Sequence, residues 1–81
     1  MKEIIITLND GKSTTGYLPS DLFDADKSKE VSLVFDTGEV YSGYLKEVND
    51  EEVHLGKPAL NFGVALPNDR LIAWFYKEDF K

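Results

Sequence analysis

Few side chains in this 81-residue chain are of a type and spacing that could do covalent chemistry. Nucleophilic catalysis needs a histidine or equivalent base within reach of a Ser, Cys or Thr. The one histidine, His54, lies between Val53 and Leu55. On a strand those two neighbours face inward and the imidazole faces out. Gly11-Lys12-Ser13 lacks the earlier glycine of a phosphate-binding loop. Glu51-Glu52 falls in a turn tip, where charge is simply solvated. Asp24-x-Asp26-x-Ser28 opens like a calcium loop but fails its physical test. The sixth position, which needs glycine, is Lys29, and the twelfth, which needs a bidentate Glu, is Phe35. With one histidine and no cysteine, a structural zinc site of nitrogen and sulfur ligands is excluded. The expectation is a non-enzymatic protein with no metal and no cofactor.

Aromatic side chains are the better candidates for binding. Tyr17 and Tyr44 each stand between a glycine and a leucine, and each should point away from that leucine. Arg70–Tyr76, read RLIAWFY, is apolar on both faces of a strand: Leu71, Ala73 and Phe75 on one, Ile72, Trp74 and Tyr76 on the other. If the first set fills the interior, the second is a patch that solvated monomers usually avoid. Tyr17, Tyr44, Ile72, Trp74 and Tyr76 are therefore the candidate binding residues. Two arrangements fit them: an exposed docking or stacking surface, or a second small core covered by residues 19–30 or by Phe80.

The elements that must position these residues are strands. Val31, Leu33 and Phe35 alternate with Ser32, Val34 and Asp36, the period of a strand with one buried face. Asp36-Thr37-Gly38 suits a tight reversal. A long extended run over 39–48 follows, then a polar tip at Asn49–Glu52 and a short strand at Val53-His54-Leu55. Residues 4–18 repeat this plan. Gly11 and Gly38, Gly16 and Gly43, Tyr17 and Tyr44, and Leu18 and Leu45 all share one offset of 27. The same offset places Ile4, Ile6 and Leu8 on Val31, Leu33 and Phe35. Hairpins draw on a small set of turn residues, but four identities with a matched apolar face favour an internal repeat. Residues 19–30, rich in acids, read as a surface connection with one helical turn near Ser20, from which Leu22 and Phe23 could fold back over an open end. Leu60, Phe62, Val64 and Leu66 alternate as a further strand, and Pro67-Asn68-Asp69 is turn chemistry.

The hydrophobic strand before Gly38, with Gly43 five residues on and Leu45 after it, resembles the first motif of the Sm-like small barrels, a family within the wider SH3-like class. That resemblance implies an all-β fold: a small, strongly bent Sm-like or SH3-like barrel of six or seven strands. It also implies that the last strand pairs with a neighbouring subunit. The family's RNA-contacting residues lie in an Asp-x-x-Met-Asn stretch and an Arg-Gly pair. Asn49 or Asp50 could take the Asp place and His54 roughly the Asn place, with the spacing off by one and the Met missing. Arg70 is followed by Leu71 in place of glycine. Both departures argue against RNA binding.

Composition points the same way. Nine basic residues against fifteen acidic give a net charge of −6, and no Lys/Arg cluster exists to neutralise phosphates. At 81 residues the chain, 1–81, makes one domain with one small core. Such a core rarely supplies more than ~3–5 kcal/mol, and no disulfide can add to it. Met1-Lys2-Glu3 leads into an apolar run far shorter than a secretory or membrane segment. The expected role is an interaction module in the cytoplasm. It binds protein, itself included, through an aromatic face or a strand edge, without membrane contact. The alternative is an Sm-like single-stranded RNA or DNA module stacking bases on Tyr17, Tyr44 and Trp74.

Overall fold

The computed structural model describes residues 1–57 and 63–80. Seven strands form: β1 Glu3–Thr7, β2 Ser13–Tyr17, β3 Glu30–Phe35, β4 Val40–Val48, β5 Glu52–Gly56, β6 Gly63–Pro67 and β7 Leu71–Tyr76. All pairings are antiparallel, within one sheet of order β1-β2-β7-β3-β4-β5-β6. The expected all-β class and strand number are therefore met. Among the described residues β1 and β6 do not pair with each other, so the ring of the expected barrel is left open there. Leu60 and Phe62, expected at the start of a strand, lie outside the described residues.

The β1–β2 and β3–β4 hairpins share one register. Ile4 faces Gly16 across the first and Val31 faces Gly43 across the second, and each further pair repeats at the offset of 27. Their turns close alike. The Leu8 amide donates to the Lys12 carbonyl at 2.8 Å, and the Phe35 amide donates to the Glu39 carbonyl at 3.0 Å. Gly11 and Gly38 both hold φ at +87°, a conformation that is cheap only without a Cβ.

Equivalent residues nevertheless face opposite sides of the sheet, and the topology requires it. Along the sheet β1 precedes β2 and β3 precedes β4, yet β1 and β3 run in opposite directions. The operation that keeps that order and reverses direction is a half-turn about an axis lying across the strands in the sheet plane. It exchanges the two faces. Val31, Leu33 and Phe35 enter a large core with Leu22, Leu45, Val53, Leu55, Leu71, Trp74 and Tyr76. Ile6, with Ile4 and Leu8 packed beside it, instead covers Val34, Ala73 and Phe75 on the other face, and Phe80 joins them. Where the sequence allowed one small core, or a second one beneath residues 19–30 or Phe80, the interior is thus two apolar layers. β3 and β7 lie between them, which is why both strands are buried along nearly their whole length.

Two irregularities shape the sheet. The β3–β7 ladder slips between Val34 and Phe35, so that Phe35 pairs with Leu71 and Ile72 is left as the extra residue. The β4–β5 ladder slips between Leu45 and Glu47. At the polar tip Asn49 Oδ1 accepts from the Glu51 and Glu52 amides, both at 2.8 Å, which turns the chain from β4 into β5.

Candidate functional site

The aromatic candidates do not form one surface. β7 carries Trp74 and Tyr76 into the main core, where Trp74 is wholly buried, and Ile72 alone stays 53% exposed. This corrects the expected face of Ile72, Trp74 and Tyr76. The bulge at Ile72 breaks the period of two, so Leu71 joins Trp74 and Tyr76 while Ala73 and Phe75 turn to the second layer. Trp74 and Tyr76 are structural residues, and neither offers a ring to a partner.

Their cover is the segment between the two hairpins. Pro19–Asp24 forms a 3-10 helix, with Pro19 starting a turn that needs no amide from it. Leu22 from this helix is wholly buried in the main core, whereas Phe23 remains exposed. Two hydrogen bonds tie the segment down. Trp74 Nε1 donates to the Leu18 carbonyl at 2.9 Å, and the Asp26 amide donates to Tyr76 Oη at 2.9 Å. The buried polar atoms of both rings are thereby satisfied. Lys29 Nζ lies 5.3 Å from the Tyr76 ring centroid and pairs with Glu78 at 2.9 Å.

Tyr17 closes the cluster from β2. Its ring centroid is 4.8 Å from Trp74 and 6.1 Å from Tyr76, and Tyr17↔Trp74 is the one paired position between β2 and β7. Partial burial pushes the Tyr17 phenol up from its ordinary value, and the carboxylates of Glu3 and Asp79 push it in the same direction. Tyr44 goes elsewhere. It is half-buried on β4 at the position alternating with buried Leu45, and so on the other sheet face from the Trp74 cluster. The two tyrosines are equivalent in sequence offset and register, yet the half-turn separates them.

The remaining polar candidates are dispersed. His54 lies outward, with Nε2 3.8 Å from Glu52. Arg70 borders a small hollow of 130 Å³ that Asp36, Glu39 and Tyr41 also line. Glu39 accepts from Tyr41 Oη at 2.5 Å, which raises the Tyr41 pKa. Among the described residues no three His, Asp or Glu side chains gather as a metal group would require, and no helix is long and apolar enough to cross a membrane.

The surface features that sequence reasoning passed over are the sheet ends. β1 exposes Ile5 at 74% and β6 exposes Val64 at 56%, each on a strand with one edge unpaired among the described residues. Ile5 was legible: if Ile4, Ile6 and Leu8 turn inward, the residue between must turn out. Compared with protein-family models, curated proteins and solved structures, the chain matches none.

Proposed function

We propose that this chain is a non-enzymatic interaction module of the small-barrel kind that binds protein, itself included, through its sheet edges. The observation that carries this reading is the open sheet. Among the described residues it ends on β1 and β6, each with unpaired backbone on its outer side and an exposed β-branched residue, Ile5 or Val64. Such edges pair with other chains unless covered. The aromatic face weighed beside the edge is taken up by Leu22 and the Leu18 carbonyl, which leaves the edge as the route. A cytoplasmic location is proposed with it, on the cysteine-free composition. The matching hairpin registers support reading residues 4–18 and 31–45 as an internal repeat.

The single-stranded nucleic-acid reading has less behind it. Trp74 is wholly buried, Tyr17 and Tyr44 lie on different faces, and the hollow that Arg70 borders is lined also by Asp36 and Glu39. The test of the edge reading combines sedimentation over a wide concentration range with amide chemical-shift mapping against an array of extended peptides. Self-association relieved by Ile5→Lys or Val64→Lys, or peptide-induced shifts on edge amides, is the expected result. A strict monomer whose edge amides respond to no peptide would overturn it.

A further inference from the structure

β2 meets β7 at a single position and then leaves it. The turn hydrogen bond from Leu8 to Lys12 sets the alternation of the β1–β2 ladder. In that alternation Thr14 and Gly16 bond back to β1, while Ser13, Thr15 and Tyr17 direct amide and carbonyl to the other side. Tyr17 finds Trp74 there. Among the described residues Ser13 and Thr15 find no strand partner on that side, and the Thr15 carbonyl receives only the Thr14 hydroxyl at 3.4 Å. Beside this open half-edge lies a cleft of 530 Å³ lined by Glu3, Ser13, Thr14, Thr15, Tyr17 and Asp79.

The two charged residues that line the cleft, Glu3 and Asp79, are both acidic, and Lys29 and Lys77 do not line it but pair with Glu78 and Glu30, at 2.9 and 3.3 Å. Among the described residues Glu3 and Asp79 have no ion-pair partner, and both border the cleft from opposite walls, Glu3 on β1 and Asp79 on the turn after β7. Burial is the main cause of the raised Tyr17 pKa, to which both carboxylates add and which Lys29 opposes.

We infer that the cleft between β2 and the Lys77–Asp79 turn receives a basic, extended segment of a partner protein, which adds to the free edge of β2 at Ser13 and Thr15 and places cationic side chains at Glu3 and Asp79. This rests on the edge-binding reading above and names the edge and the partner's chemistry. Backbone ladder bonds supply the attachment and the two carboxylates select the charge.

The test uses the full chain and a fluorescein-labelled peptide of alternating lysine and valine. Its controls are the glutamate-valine analogue and a lysine-valine peptide N-methylated at alternate residues. Anisotropy at low salt should show the lysine peptide binding about tenfold more tightly than the glutamate analogue, the scale of two exposed ion pairs. The N-methylated peptide should not bind, and the Ser13 and Thr15 amides should shift and gain exchange protection. Glu3→Gln with Asp79→Asn should remove about the same tenfold. Thr15→Pro should block binding at no cost to the β1 ladder, because that amide faces the cleft; Trp74 emission checks that each variant is folded. Binding equal in the charge variants overturns the inference, as does protection of Ser13 and Thr15 already present without peptide. Shifts confined to the outer edges of β1 or β6 overturn it too while leaving the edge-binding reading standing. Silence at every edge defeats both.

Discussion

Gly16→Ala should damage this protein far more than Gly43→Ala, although the two glycines hold equivalent places in matching hairpins. A Cβ on Gly16 would stand 2.5 Å from the Trp74 carbonyl oxygen and would overlap the Ile6 side chain. Ile6 can turn aside, but the Trp74 carbonyl belongs to a β7 backbone paired on both sides, to Tyr17 and to Leu33. Relief therefore means separating β2 from β7 at their one paired position. Overpacking of this kind costs about 1–3 kcal/mol, and the restriction alanine places on the unfolded chain returns about 0.4–1 kcal/mol. At Gly43 the nearest atoms are Leu55 Cβ at 3.3 Å and the Gly56 carbonyl oxygen at 3.5 Å, so the two effects should roughly cancel. A chain this long is typically stable by about 4–12 kcal/mol. The net loss at Gly16 of about 1 kcal/mol then lowers Tm by roughly 4–8 °C, against little change at Gly43. Urea melts followed by Trp74 emission and by circular dichroism measure both. Equal midpoints for the two variants, or Gly43→Ala as the weaker protein, would refute the argument that the β2–β7 junction is the tight one.

Trp74→Phe leaves the Leu18 carbonyl without its donor and should cost about 2–3 kcal/mol in denaturant melts; Trp74→Lys should fail to fold rather than merely dissociate an oligomer. Gly11→Ala meets no atom within 4 Å but keeps φ at +87°. It should cost about 1 kcal/mol from backbone conformation alone, and Gly11→Asn should cost less. Mixed-sequence single- or double-stranded oligonucleotides should show no anisotropy change at physiological salt, since few phosphates can be neutralised; micromolar binding with a steep salt slope would contradict the proposed function. Asp26 accepts from the Ser28 hydroxyl and amide, at 2.6 and 2.9 Å, and these bonds lower its pKa. Its small stabilising effect should be present above the ordinary carboxylate value and fade as pH falls through the lowered one, a pH dependence that Ser28→Ala weakens in thermal melts by removing the hydroxyl while the amide stays.

Local pattern alone determined the strands, their turns and the shared register. Alternation marked Val31, Leu33 and Phe35, and glycine marked the reversals at 11 and 38, because side-chain period and permitted φ are properties of a few neighbouring residues. The outward His54 was legible for the same reason. Which side of the sheet each hairpin presents was not legible. That depends on β7, drawn from the far end of the sequence, inserting between β2 and β3, and it is this insertion that turns equivalent residues to opposite faces. Nor could spacing reveal the bulge at Ile72, a slip set by pairing with β3, which sends Leu71, Trp74 and Tyr76 to one side. The cleft at Ser13 and Thr15 exists only because β2 and β7 part after a single pair, and a half-paired strand has the same residues as a fully paired one. Tertiary structure therefore decided which aromatic residues were core and which backbone was left free to bind.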